Sequence, residues 1–136
     1  MQEKRIIGRI ETVDLPELGL YNICAKIDTG AETSVLHCNQ FEIFEKDGHR
    51  YIRCTIQGHP DFIFLIHRER VVKSSFGQSE TRYIFITKIK LFKKLFDIKL
   101  SVRDRSAMSY PMLLGRNFIS GKFLVDVSQD DLAKNI

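Results

Sequence analysis

The stretch Ala25-Lys26-Ile27-Asp28-Thr29-Gly30-Ala31 constrains this chain more than any other. Leading into it, Tyr21, Ile23, Ala25 and Ile27 recur at every second residue, the period of a strand with one buried face. The alternation stops at an acid, a small hydroxyl and a glycine, which together close a tight turn. The pattern therefore predicts a strand whose end presents one carboxylate, that of Asp28. Gly30 can take positive φ without a Cβ clash and lets another backbone approach, and Thr29 can hydrogen-bond backbone groups and stiffen the turn. On its own the tripeptide is a common turn, so its meaning depends on the rest of the chain.

Before the turn, Ile6, Gly8 and Ile10 alternate with Ile7 and Arg9 as one strand, and Pro16 and Gly19 mark a loop. After it, Thr33-Ser34-Val35-Leu36 is predicted to be extended and partly buried. Phe41 to Ile56 reads as a hairpin turning at Asp47-Gly48, and Phe62 to Ile66 as a short buried strand. Ser74 to Glu80 is polar and centred on Gly77, flanked by Val71-Val72 and Tyr83-Ile84-Phe85, the pattern of a long hairpin's tip. Tyr83 to Leu91 and Phe96 to Val102 both alternate, with a turn expected at Lys93-Lys94. Pro111 to Leu114 is an apolar strand that passes through Gly115 into the one short helix, and Phe123 to Val127 supplies a last strand. The reading is all-β.

A chain of 136 residues with 43% hydrophobic content is long enough to bury one core without disulfide staples. A single domain over 1–128 is expected, with a polar tail over 129–136 that frays. Cys24, Cys38 and Cys54 are odd in number and lack CxxC spacing, as in a reducing compartment where thiols act as small apolar residues. No apolar run of signal-peptide length follows the basic start, and none of about 18 residues occurs anywhere, so a cytoplasmic chain without membrane partners is expected. The net charge of +4 suits acidic partners. Lys88 to Arg105 holds seven basic residues against two acids, either a lysine-protected edge or an attraction for an acidic substrate. No aromatic-interleaved basic motif points to nucleic acid.

Several chemistries lack their residues. There is no HExxH, and His37, Cys38, Cys54, His59 and His67 do not have zinc-site spacing, so no metal is expected. Gly115 to Lys122 superficially matches a phosphate loop, but five residues separate its glycines and Phe123 stands where magnesium needs Ser or Thr. His37 and Cys38 are strand neighbours that point to opposite faces, which argues against a thiol nucleophile. No cofactor is expected.

Two distant stretches carry the positive case. Ile-Asp-Thr-Gly-Ala at 27–31 and Leu-Leu-Gly-Arg-Asn-Phe-Ile at 113–119, separated by β-hairpins, resemble the retropepsin-like aspartic proteases over most of the chain. A closer resemblance uses Leu-Pro-Glu-Leu-Gly at 15–19, Ala-Lys-Ile-Asp-Thr-Gly-Ala at 25–31, Thr-Ser-Val-Leu-His at 33–37, Gly77 with Arg82-Tyr83, Asp104-Arg105-Ser106 with Met108, Pro111 to Arg116 and Val125-Asp126. These residues look like the bacterial family labelled ATP-dependent zinc protease, encoded beside or fused to an ATP-grasp glutamate ligase of the RimK type. The label's zinc and ATP motifs are absent here. The resemblance implies a closed retropepsin-like barrel with one short C-terminal helix, and members that trim glutamate tails added to a ribosomal protein. One departure stands out: the family usually has a basic residue where this chain has Glu32, and retroviral enzymes have an acid there.

What the resemblance implies for the site is an aspartic endopeptidase. Such chemistry needs two carboxylates sharing a proton, and this chain has one Asp-Thr-Gly, so a homodimer would pair Asp28 with Asp28. Thr29 would brace the two turns and Gly30 would admit the substrate backbone. Ala31 and the tip residues Ser74, Ser75, Phe76, Gly77 and Gln78 would contact an extended peptide as a flap. Arg82 and Arg105 would meet an acidic substrate or pair with Glu80 and Asp104. Gly115, Arg116 and Asn117 would support the turn from below, with Glu32 paired to Arg116. The alternative on the same fold is a dimeric peptide-binding module without turnover.

Overall fold

A computed structural model describes residues 3–56, 59–73, 75–103 and 110–134. Among these described residues, twelve strands and one short helix follow in order: β1 (Arg5–Ile7), β2 (Ile10–Leu15), β3 (Leu20–Ile27), β4 (Ser34–His37), β5 (Asn39–Lys46), β6 (His49–Ile56), β7 (His59–Leu65), β8 (Arg68–Lys73), β9 (Ser79–Leu91), β10 (Lys94–Arg103), β11 (Met112–Leu114), α1 (Arg116–Ile119) and β12 (Phe123–Val125). A 3-10 turn at Pro16–Leu18 joins β2 to β3. The main sheet has the order β10-β4-β11-β3-β2-β9-β8, and β10 also pairs with β9, so its first six strands close into a barrel while β8 hangs outside as the arm of a hairpin. This is the all-β barrel with one short C-terminal helix that the alternation and the family resemblance implied.

Alternation fills the barrel. Val13 and Leu15 of β2, Ile23, Ala25 and Ile27 of β3, Phe85, Ile89 and Leu91 of β9, and Ile98, Leu100 and Val102 of β10 are all buried. Each fully buried Ile, Leu or Val side chain contributes roughly 1.5–3 kcal/mol. The three-stranded sheet β5-β6-β7 packs onto the barrel through Phe64, stacked on Phe85 with ring centroids 4.2 Å apart. Cys38 and Cys54 are buried at the same junction, and a hydrogen bond between their side chains draws the Cys54 thiol below its ordinary range. Phe96, Phe118 and Phe123 pack mutually at 5.5 to 6.0 Å and seat α1 against the barrel.

Turn chemistry accounts for the hairpins. Asp47 and Gly48 both have positive φ (52° and 79°), which suits the twist of a two-residue loop between β5 and β6. The β9–β10 turn lies one residue earlier than expected: Leu91 pairs with Lys94, and Phe92 and Lys93 take positive φ. Burial of the Phe92 ring, 6% exposed and stacked on Phe123, holds that otherwise disfavoured backbone in place.

Three further strand expectations are corrected. Tyr21 is exposed instead of sharing the face of Ile23, because Asn22 at φ 57° makes an irregularity that puts Leu20 inside in its place. Residues 5–15 are two strands, since the chain breaks at Gly8-Arg9 and β1 pairs with β12 in parallel, outside the barrel. A Cβ at Gly8 would stand 2.3 Å from the Gln129 carbonyl oxygen, which explains the glycine at the break. The last strand stops at Val125, where Asp126 starts a turn by accepting from the Ser128 backbone N–H at 2.9 Å.

Residues 129–134 of the tail are held against the barrel, where fraying was expected. Arg9 N–H donates to the Gln129 carbonyl and Asp131 N–H to that of Ile10, at 2.6 and 2.8 Å. Glu11, fully buried, holds the segment from within: its carboxylate accepts from the backbone N–H of Gly8 (2.7 Å), Leu132 (3.1 Å) and Ala133 (2.9 Å). Among the described residues no helix is long and apolar enough to cross a membrane.

Candidate active site

The Asp28 turn hangs from the end of β3 and is held by the strand beside it. β11 lies between β3 and β4, parallel to the first and antiparallel to the second, so it reaches the turn from below. Asp28 N–H donates to the Leu114 carbonyl at 2.9 Å and Ala31 N–H closes the turn on the Asp28 carbonyl at 3.2 Å. The Asp28 side chain is half-buried, and Oδ1 accepts from Gly30 N–H at 3.1 Å. The hydroxyl-bearing Thr29 and Gly30 are exposed at the apex. Within the described residues the carboxylate has a single hydrogen bond, so most of its lone pairs remain open for a water or a proton.

Gly30 does not adopt the left-handed conformation anticipated for it. What its missing Cβ secures is proximity, because an added Cβ would lie 3.3 Å from Asp28 Oδ1. Gly115 is required more strictly. A Cβ there would be 2.7 Å from the Thr33 carbonyl group and 3.0 Å from the Ala31 carbonyl oxygen, both backbone and unable to retreat. Gly115 N–H donates to Ser34 Oγ at 3.0 Å in the interior, so Ser34 is a supporting residue that sequence patterning passed over. Its signal was a small hydroxyl at the head of an otherwise apolar strand.

Gly115, Arg116 and Asn117 come together beneath the turn. Arg116 N–H donates to the Ala31 carbonyl (2.8 Å) and Asn117 N–H to that of Glu32 (3.0 Å). The anticipated Glu32–Arg116 ion pair is not formed. Arg116 Nη1 donates instead to the Gly30 carbonyl at 3.1 Å, and the exposed Glu32 is tied to α1 through its backbone. The guanidinium thereby braces the apex of the turn directly, since a carbonyl two residues from the carboxylate is within its reach.

Of the remaining expected residues, those described sit on the β8–β9 hairpin. Ser75, Phe76, Gly77 and Gln78 form its tip, with Gly77 at φ 79° and Phe76 91% exposed. Arg82 lies on β9 opposite Arg70 of β8. Glu80, one of the acids expected beside Arg82, is held by Arg103 Nη2 at 2.9 and 3.1 Å. Ser74 and Arg105, with Asp104, lie outside the described residues.

Comparisons with known proteins identify the family. A family model described as the retropepsin-like aspartic endopeptidase RimB matches residues 6–135. A relative from Desulfotalea psychrophila, named a probable alpha-L-glutamate ligase, is 36% identical over 132 residues, 90% of this chain and 28% of its own length. One of the same name from Parasynechococcus marenigrum is 38% identical over 135 residues, 93% of this chain and 28% of its own. The chain thus spans just over a quarter of these relatives. A solved structure from Legionella pneumophila, described as having unknown function, superposes with a TM-score of 0.76 at 29% identity, covering 96% of this chain and 99% of that one.

Proposed function

Because this chain belongs to the RimB-like family of retropepsin-like aspartic endopeptidases, we propose that it is an aspartic peptidase, working as a homodimer on extended peptides with Asp28 as each chain's catalytic carboxylate. The observation that carries the reading is the turn itself. Asp28 is presented by a strand, braced at its backbone by Leu114 and at its apex by Arg116, and left with open lone pairs. A group held this rigidly while under-coordinated is what acid–base chemistry requires.

One carboxylate is half of the machinery. The chain contains a single Asp-Thr-Gly, so the second is that of Asp28 in a twofold-related copy. Two carboxylates a few ångströms apart do not both ionise, so the pair shares one proton. The ionised member takes a proton from a water as that water attacks the scissile carbonyl carbon. The protonated member hydrogen-bonds the carbonyl oxygen as it becomes an oxyanion. Collapse of the tetrahedral intermediate expels the amine, which leaves with a proton returned from the pair. The Thr29 residues of the two copies brace the paired turns, and the hairpin tip at 75–78 closes over the substrate to exclude water.

Glutamate-rich tails are the proposed substrate, and a glutamate ligase of the ATP-grasp type the functional partner. The ligase names of the relatives support both, and a peptidase that shortens such tails would oppose a ligase that extends them. Mass spectrometry of glutamate-tailed and neutral peptides, incubated with wild type and Asp28→Asn from mildly acidic to neutral pH, tests the reading. Cleavage by Asp28→Asn at the wild-type rate, or a protein that sediments as a monomer at every concentration while cleaving, overturns it.

A further inference from the structure

Past the turn the chain runs through Glu32 and Thr33 into β4, and these residues form part of the wall of a cavity of about 700 Å³. Strand register determines the rest of the wall. Arg68 of β8 lies opposite Ile84 of β9, and Ile84 opposite Ser101 of β10, while Ile86 faces Lys99. Cross-strand partners share a face, so one side of this three-stranded region turns Arg68, Arg70, Lys99 and Ser101 toward the same space. Lys122 enters from the loop after α1, with Nζ donating to the Phe118 carbonyl at 3.0 Å.

The charge on this wall is unbalanced. Four cations (Arg68, Arg70, Lys99, Lys122) line it with two acids. One acid, Asp97, is already paired with Lys88 across the β9–β10 ladder. Glu32 is left, and among the described residues neither it nor Arg68, Arg70 or Lys99 enters an ion pair. A lysine-protected edge would spread its charges over a convex rim, whereas these come from three separate elements and converge on a concavity, which focuses their field.

A second observation points into the same space. The Ser101 side chain belongs to the wall, is 2% exposed, and its hydroxyl has no hydrogen-bond partner among the described residues. Buried polar atoms ordinarily find a partner, and one left open on a cavity wall is a place for a ligand atom.

We infer that this cavity is a subsite that reads a carboxylate of the substrate, with Arg68 and Arg70 as forked donors and Lys99 and Lys122 as point charges. The inference rests on the peptidase reading for its place in the cleft. Glu32 is four residues beyond Asp28, so even a fully extended chain sets its Cα within about 14 Å of the catalytic residue. The carboxylate read therefore lies on the same extended peptide as the bond that is cut. It belongs to an acidic side chain or to a free C-terminus. All of the named residues come from one chain, so each copy carries its own subsite.

Fluorescence anisotropy on full-length Asp28→Asn protein separates this inference from catalysis. Four labelled peptides of equal length are compared, glutamate or glutamine in sequence, each with a free or an amidated C-terminus. The expected result is a glutamate-over-glutamine preference of about 10-fold or more that weakens with salt and falls toward one in the added Arg68→Gln/Arg70→Gln background. A preference that instead follows the free C-terminus, and falls in the same background, assigns the subsite to the chain end. Lys99→Gln, on an exposed residue, is a second variant in which the ratio must also drop. A full preference surviving in both backgrounds overturns the subsite, whether or not wild type cleaves. Loss of the preference in a protein whose wild type cuts neither peptide overturns the peptidase reading and leaves the subsite standing.

Discussion

Glu11 and Asp28 are carboxylates on neighbouring strands of one barrel, and their surroundings are opposites. Glu11 is wholly buried and accepts three backbone N–H groups, two of them from Leu132 and Ala133 at the far end of the sequence. Asp28 is half-buried, with one hydrogen bond from two residues away. The first has its acceptor capacity used on the fold and nothing left for a substrate. The second leaves its capacity open and is kept in place by bonds to its backbone instead. A buried acid is thus a clasp, whereas an under-coordinated acid on a braced backbone is available for the acid–base role proposed for it.

Removing each carboxylate in turn sharpens the contrast. Asp28→Asn is expected to lower peptide cleavage by about 10²–10⁴-fold, since it removes the proposed proton-transfer group, while the urea midpoint stays near wild type because the amide oxygen still accepts from Gly30 N–H. Coincident loss of activity and stability in that variant would break the comparison. Glu11→Ala should cost about 3 kcal/mol or more, leaving buried N–H groups unsatisfied. Urea unfolding measures that loss, and hydrogen exchange should show residues 129–134 released first.

Gly115→Ala tests the bracing of the Asp28 turn. Its Cβ would meet the Thr33 and Ala31 carbonyls, so about 1–3 kcal/mol of stability should be lost together with activity, as the clash displaces the turn. Normal kinetics in a destabilised Gly115→Ala protein would show that the turn does not depend on β11 and α1 for its position.

The smallest effect concerns Asp126, which stands beside the clasp. Hydrogen bonds from the Ser128 and Gln129 side chains, and from the Ser128 backbone, lower its carboxyl to about 2, against an ordinary 3.8. A folded pKa below the unfolded one means that the stabilisation is complete above the unfolded value and disappears as pH falls through about 2. Thermal midpoints recorded from pH 4 down to pH 2 should therefore fall less steeply for Asp126→Asn than for wild type.

Much of the candidate site was legible because its signals are local. A strand period of two, the turn residues Asp47-Gly48 and the Asp28-Thr29-Gly30 break act over a few bonds, and they mark strands and turns wherever they occur. Gly115-Arg116-Asn117 was recognisable through resemblance, and the structure shows why those residues belong there: two backbones approach too closely for a Cβ, and a long cation reaches the turn's apex. The choice of that apex carbonyl over the Glu32 carboxylate was not legible, since both lie within an arginine's reach and only the packed geometry selects between them.

By itself, then, the sequence determined the strand class, the turns and the residue that could act as an acid. Tertiary structure decided the rest. It broke the first strand at Gly8, turned Tyr21 outward, joined 129–134 to Glu11, and brought Arg68, Arg70, Lys99 and Ser101 to one cavity. The physical reason is distance along the chain. The Glu11 clasp joins groups 121 and 122 residues apart, and no local preference reports whether a buried charge will find such partners until the barrel has closed around it.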